Sequence, residues 1–203
     1  MYSIEDKVLA KIYGMGRGWA FSQKDFLSIG SRGAIDQALS RLCHKGTIRR
    51  IARGLYDYPK CIESTGRMLS PDYNQLANAI ARKRGWQIYP SGVAALNLLG
   101  ISSQVPSKLI YLSDGPTSTV EAGPWTLHFK NTALREMKLK PQTALLVQAI
   151  KSYGRDRFDD EAIEKFRKAL HNGDCRKILK DAQGITDWVY EIVRRICLGG
   201  SNG

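Results

Sequence analysis

The fold is decided by residues 22–59, which read SQKDFLSIGSRGAIDQALSRLCHKGTIRRIARGLYDYP. This stretch predicts a short helix capped by Ser22, a stop at Gly30, a second helix over 31–45 and then a basic β-hairpin. A helix, a turn, a second helix and a hairpin in this order are typical of a winged helix-turn-helix. Because the simplest role of such a module is to hold duplex DNA, the stretch predicts a DNA-binding domain.

The helix over 31–45 has one apolar face and one polar face. The apolar residues recur at intervals of three and four, which indicates a buried face, and they are Ile35, Ala38, Leu39 and Leu42. On the polar face, Arg can pair with guanine and Gln with adenine, whereas Ser, His and Lys more often hold phosphates. Since the amino-terminal part of such a helix usually enters the groove, the best base-reading candidates are Arg32, Asp36 and Gln37. The full set of DNA-binding candidates on this helix is Arg32, Asp36, Gln37, Ser40, Arg41, His44 and Lys45.

The hairpin over 47–58, here called the basic hairpin, concentrates positive charge. Two β-prone segments flank Ala-Arg-Gly, and Gly54 stands at the turn. The arginines that we expect to project outward as DNA-binding residues are Arg49, Arg50 and Arg53. From residue 31 to residue 60 there are seven Lys/Arg against two Asp/Glu. Such a hairpin suits a phosphate backbone or a narrow minor groove.

The whole chain is also basic, with 31 Lys/Arg against 19 Asp/Glu and a net charge of +12 over 203 residues. A surplus of this size favours a polyanionic partner, and nucleic acid is favoured over a membrane because no strongly basic helix has a broad apolar face. A charge that merely keeps the surface soluble is the alternative. Glu5 and Asp6 interrupt the start, so no signal peptide is predicted, and no run is long enough for a membrane span.

The cysteines indicate a reducing compartment. Cys43, Cys61, Cys175 and Cys197 are scattered without a Cys-x-x-Cys pair, which favours free thiols over a disulfide framework or a zinc site. We therefore expect a cytoplasmic protein without a structural metal or a cofactor.

The rest of the chain predicts an α+β protein in which a carboxy-terminal domain, with a small antiparallel sheet and several helices, follows the winged helix-turn-helix. The predicted domains are 1–60 for the DNA-binding part, 61–70 for a linker and 71–203 for the α+β part. From residue 132 onward the pattern is helical. Basic residues on these late helices are either a solvated face or a further contact surface.

An enzyme is not expected. Asp114, Glu121 and Lys130 lie on or near predicted strands, and a nuclease needs carboxylates that hold a metal beside a lysine. The compact Glu-x-Lys pairing is absent, however, and an Asp before Gly is ordinary turn chemistry. A metal-dependent nucleic-acid enzyme is therefore kept only as an alternative.

Four segments resemble a known family. Gly54-Leu55-Tyr56 on the hairpin is joined by YPSG at 89–92, LGISSQVP at 99–106 and YLSDG at 111–115. Together they resemble the AbiEi-type antitoxin family of bacterial type IV toxin–antitoxin systems, over roughly residues 4–135. The last sixty or so residues match that family less clearly.

The resemblance implies a two-part protein. The winged helix would bind inverted repeats in its own promoter as a repressor, and the carboxy-terminal part would counteract a nucleotidyltransferase toxin. By analogy, the recognition positions would be Arg32, Gln37 and Arg41, and the wing positions would be Arg49, Arg50 and Arg53. The chain would be a monomer or a dimer assembled on DNA. A protein-interaction module without DNA binding is the other alternative.

Overall fold

The computed structural model describes residues 3–104, 106–132, 138–170 and 173–199. Val105 belongs to the segment 99–106 named above, and residues 133–137 belong to the stretch with a helical pattern. Both lie outside the described residues. The described α-helices are α1 (Ile4–Met15), α2 (Arg32–His44), α3 (Tyr73–Arg84), α4 (Val93–Leu98), α5 (Pro141–Tyr153), α6 (Asp160–Ala169), α7 (Cys175–Asp181) and α8 (Asp187–Leu198). The described strands are β1 (Ala20–Phe21), β2 (Arg49–Ala52), β3 (Leu55–Asp57), β4 (Ile88–Pro90), β5 (Leu109–Ser113), β6 (Ser118–Ala122) and β7 (Trp125–Asn131). The mixed class with small antiparallel sheets and several helices is confirmed.

The chain forms two compact units. The first comprises Met1–Gln87 and Thr119–Leu127, and the second comprises Ile88–Ser118 and His128–Gly203. The first unit therefore extends beyond the predicted boundary at residue 60 and takes in α3. In place of a plain linker over 61–70, Cys61 and Met68 form an antiparallel bridge, so this segment folds back on itself.

Side-chain and main-chain contacts explain why the first unit is larger than predicted. The Arg82 guanidinium in α3 donates to Asp25 Oδ1 at 2.6 Å and to the Ala20 carbonyl at 2.8 Å. The segment 119–127 adds Trp125, whose Nε1 donates to the Pro71 carbonyl at 2.8 Å. Contacts over such sequence distances leave no trace in local periodicity.

Local signals in the first unit are confirmed. Ser22 and Asp25 form a capping box at a 3-10 helix, Gln23–Phe26, where the sequence predicts a short helix. The Ser31 hydroxyl accepts from Ala34 N at the start of α2. In the sheet, β3 lies between β1 and β2, and both pairings are antiparallel. The predicted extended segment before Ser22 therefore pairs with the hairpin.

Three aromatic rings occupy the centre of the first unit's core. Trp19 and Phe21 have ring centroids 4.7 Å apart, and Phe26 lies 5.9 Å from Trp19 and 5.4 Å from Phe21. The residues predicted to form the buried face of α2 pack in the same core, and they are Ile35, Ala38, Leu39 and Leu42. This packing turns the opposite side of α2 outward.

A second sheet has the strand order β4-β5-β7-β6, with Ile88 opposite Ser113 in the antiparallel β4–β5 pair. In the second unit, the helices from α5 onward pack around a core that includes Phe166. Pro141 occupies the first turn of α5, as predicted, and Asp159 caps α6 by accepting from Ala162 N at 2.8 Å. Within the described ranges, no helix is long and apolar enough to cross a membrane.

Two of the late basic residues hold helices together rather than facing solvent alone. Arg167 donates to the carbonyls of Ile196 and Arg195 at 3.1 Å each, and Arg195 donates to the Phe158 carbonyl at 3.2 Å. These contacts join α8 to α6 and to Phe158, which precedes α6. For Arg167 and Arg195 the structure therefore supplies a role within the fold.

Because of Cys197 in α8, we expect the free energy of unfolding to fall at alkaline pH. Burial, reinforced by a hydrogen bond with Cys175, raises the pKa of the Cys197 thiol from its ordinary 9.0 to about 12. The folded state therefore favours the protonated thiol, so this contribution to stability is complete below pH 9.0 and is lost as the pH rises towards about 12. Between about pH 8 and about pH 10.5, urea unfolding of the natural chain is expected to lose more stability than that of Cys197→Ala. An equal loss in both proteins would contradict the assignment.

Candidate nucleic-acid interface

The outward side of α2 presents every candidate that the sequence assigns to this helix. All seven side chains are exposed, and they are Arg32, Asp36, Gln37, Ser40, Arg41, His44 and Lys45. The four core residues of α2 fix this orientation. Because they are buried on one side of the helix, the opposite side must face solvent. The exposed side thus carries donors along its full length.

Two cations at the carboxy-terminal end of α2 contact α1. Arg41 Nη1 lies 3.7 Å from Glu5 Oε2, and Lys45 Nζ lies 2.5 Å from Glu5 Oε1. The hydrogen bond from Lys45 is the main cause that holds the pKa of Glu5 below its ordinary value. Both cations remain more than 60% exposed, at 66% and 63%. Exposed pairs of this kind are weak, so both side chains keep donors for a phosphate.

Arg49 does not project outward as predicted. Its Nε donates to Asp57 Oδ1 at 3.0 Å and its Nη2 to Asp57 Oδ2 at 2.7 Å. Asp57 is only 2% exposed, and its hydrogen bonds raise the pKa of Arg49. Because successive residues of a strand point to opposite faces, Arg49 and Arg50 cannot share the outer face. The expectation for Arg49 is therefore wrong, and this side chain holds the hairpin together.

Arg50 faces solvent beside α2. It lies opposite Tyr56 in the β2–β3 pair. Burial raises the pKa of the Tyr56 hydroxyl and of the Cys43 thiol in α2, and the charge of Arg50 opposes the rise at both. A charge that acts on Cys43 and Tyr56 alike lies along the side of α2. Arg50 thus places a positive charge of the basic hairpin near α2.

Arg53 lies at the hairpin turn, where Gly54 adopts φ +67°. A side chain at position 54 would be strained at this φ and would meet Lys83 Nζ at 3.0 Å and Gln23 Oε1 at 3.1 Å. Lys83 Nζ donates to the Arg53 carbonyl at 3.0 Å, which joins the end of α3 to the turn.

A pocket of about 350 Å³, here called the cationic pocket, adjoins the hairpin turn. Its lining comprises five basic, one amide and five apolar residues, namely Lys24, Arg32, Arg53, Lys83, Arg84, Gln23, Leu27, Ala52, Leu55, Ile80 and Val120. The structure thus brings Arg32 of α2 and Arg53 of the hairpin to one place. No Asp or Glu is among the described residues that line it.

Sequence reasoning missed Lys24, Lys83 and Arg84. A basic run at 82–84 is visible in the sequence at the end of a predicted helix, but nothing local shows that it lies beside the hairpin turn. Arg82 in the same run stabilises the fold through its ion pair with Asp25. Its neighbours Lys83 and Arg84 line the pocket instead.

Carboxylates in the described ranges do not gather into a metal site. Glu121, a residue of the nuclease alternative, accepts from Thr126 Oγ1 at 2.9 Å. Among the residues that the structure describes, no group of three or more His, Cys, Asp or Glu could hold a metal ion.

Comparison with known proteins gives a family and a distant similarity to solved structures. The family model described as "Family of unknown function (DUF6088)" matches residues 7–178. The chain is similar to the crystal structure of RV2827C protein from Mycobacterium tuberculosis, with 14% sequence identity and a TM-score of 0.41. That similarity covers 90% of this chain and 72% of the other. No curated protein matches the sequence.

Proposed function

We propose that this chain, which belongs to DUF6088, a family of unknown function, binds duplex DNA through α2 and the basic hairpin. The observation that carries the proposal is the exposed polar side of α2, followed directly along the chain by a hairpin whose Arg50 is exposed. In this proposal, α1, the 3-10 helix, α2 and the hairpin act as a winged helix-turn-helix, with α2 in the major groove.

Base reading and phosphate binding fall on different residues. Arg32 and Gln37 lie in the amino-terminal half of α2, which enters the groove first in this docking mode. Arg50 and Arg53 extend the positive surface to the flanking backbone. Since Arg49 is paired with Asp57, it is left out of the DNA contacts.

The experiment that tests DNA binding removes the two outward hairpin charges. The double variant Arg50→Gln, Arg53→Gln is expected to bind duplex DNA more weakly whatever its sequence. The slope of log affinity against log salt should fall by roughly 2, since each lost phosphate contact releases about one counterion fewer. Gel shifts over a salt series measure both quantities.

A matched control is Arg67→Gln together with Lys108→Gln, two exposed cations outside the interface. This control is expected to keep the natural affinity and salt slope. If both double variants behave alike, the hairpin assignment fails. If the full chain does not shift its own promoter at all, a protein-interaction module becomes the better reading.

Gln37→Ala tests base reading. A bidentate contact between Gln and adenine contributes about 1–3 kcal/mol of discrimination, so the variant is expected to relax base preference at one position by roughly 5- to 150-fold. Selection from a randomised operator measures this preference. Ser40→Ala on the same exposed side is the control, and an unchanged preference in Gln37→Ala would exclude this residue from base reading.

The wider role that we propose follows from the resemblance to AbiEi-type antitoxins. In that role the chain represses its own operon at promoter inverted repeats and counteracts a nucleotidyltransferase toxin. Growth under toxin expression measures neutralisation separately from repression. The Arg50→Gln, Arg53→Gln variant is expected to lose repression and to retain neutralisation, because we assign neutralisation to the carboxy-terminal part.

A further inference from the structure

The cationic pocket concentrates positive charge without compensation from its own walls. Lys24, Arg32, Arg53, Lys83 and Arg84 line it, and the described lining residues include no carboxylate. Burial, followed by repulsion from Arg84, Arg53 and Lys24, lowers the pKa of Lys83. An anion among these side chains would relieve that repulsion.

The pocket also contains a polar group that lacks a partner. Gln23 Oε1 is buried and accepts no hydrogen bond from the described residues. Rotation of the terminal amide by 180° would bring Nε2, a donor, to the same position. In that orientation Gln23 would be able to donate a hydrogen bond to a phosphate oxygen, while the cations neutralise its charge.

The size and walls of the pocket suit more than a bare ion. Its volume of about 350 Å³ lies in the range of small-molecule sites. Besides the cations, its lining includes the apolar residues Leu27, Leu55, Ile80 and Val120. A phosphate would pair with the cations, and a sugar or base would pack on the apolar residues.

We propose that the cationic pocket binds the phosphate group of a nucleotide, held by Lys83, Lys24 and Arg53. The same chemistry is offered by a free mononucleotide and by one nucleotide of a DNA strand. Arg32 and Arg53 also belong to the DNA interface, so a free nucleotide in the pocket would compete with DNA. Binding of a free nucleotide does not itself depend on the proposed function.

The test titrates the full chain with inorganic phosphate, adenosine 5′-monophosphate and adenosine by calorimetry, and with a short DNA duplex by gel shift. The nucleotide is expected to bind and the uncharged nucleoside to fail. Lys83→Gln is expected to lower the affinity for the nucleotide by roughly tenfold or more, because it removes a charge-assisted hydrogen bond. Lys7→Gln, which removes one exposed cation from α1, is the matched control and is expected to change nothing.

Each outcome decides a point. A selective loss in Lys83→Gln for the free nucleotide supports the pocket, even if no DNA binds and the proposed function fails. A selective loss confined to the duplex also supports it and assigns the phosphate to DNA. Equal effects of Lys83→Gln and Lys7→Gln on every probe would overturn the proposal. Lys24→Gln, at an exposed position, repeats the test if Lys83→Gln does not fold, as judged by circular dichroism.

Discussion

Arg49→Ala is expected to lower the free energy of unfolding of the first unit by about 3 kcal/mol. The change leaves the Asp57 carboxylate, which is 2% exposed, without the two hydrogen bonds that it accepts from Arg49. A buried charge without its partner has neither water nor a cation to stabilise it. Asp57 also pairs with Ala20 across the sheet, so the loss extends from the hairpin to β1.

Urea unfolding of the full chain measures this effect, and Arg50→Ala is the matched control. Arg50 lies next in the same strand and is exposed, so its loss is expected to change stability by less than about 0.5 kcal/mol. The two neighbours thus give opposite results, with stability lost in one and DNA affinity lost in the other. Equal stability in the two variants would contradict the assignment of Arg49 to the fold.

Phe26→Ala is expected to cost about 3–5 kcal/mol, because it removes a fully buried ring and leaves a cavity. Phe26 is 0% exposed and meets Phe21 and Trp19 edge-on. It also packs in the same core as the buried face of α2. Loss of the ring therefore weakens the support of the helix that we assign to DNA.

The neighbouring residue supplies the control for this prediction. Leu27→Ala removes a large apolar side chain that is 51% exposed, and a loss below about 1 kcal/mol is expected. Chemical unfolding followed by tryptophan fluorescence, to which Trp19 of this core contributes, measures both losses. A loss in Phe26→Ala no larger than that in Leu27→Ala would contradict the packing described for the aromatic core.

Features encoded by neighbouring residues could be predicted from the sequence. Ser31 caps α2, and Ile35, Leu39 and the other apolar positions of that helix are buried, because a period of three to four residues requires no tertiary information. Gly54 at the turn is equally local, since the tight connection demands a positive φ. The exposed candidates on α2 followed directly from this pattern.

Features that depend on partners distant in the sequence could not be predicted. The role of Arg49 depends on the strand register, which sets it opposite Asp57. In the sequence, only the alternation of side chains along a strand indicates that Arg49 and Arg50 point to opposite faces. The cationic pocket depends on α3, whose packing within the first unit is set by contacts such as Arg82 with Asp25. A run of basic residues does not indicate which of them will meet a carboxylate and which an open pocket.

Between Gln87 and Thr119 the chain belongs to the second unit, and this order affects how the first unit folds in the cell. The ribosome synthesises the segment 119–127 about 35 residues after the end of α3, a delay of roughly 2 to 7 s at ordinary elongation rates. Until then Pro71 lacks the Trp125 indole that binds its carbonyl, and Ile51 lacks the backbone that packs against it at Gly123. The amino-terminal unit therefore reaches its final packing only after part of the second unit has already been synthesised.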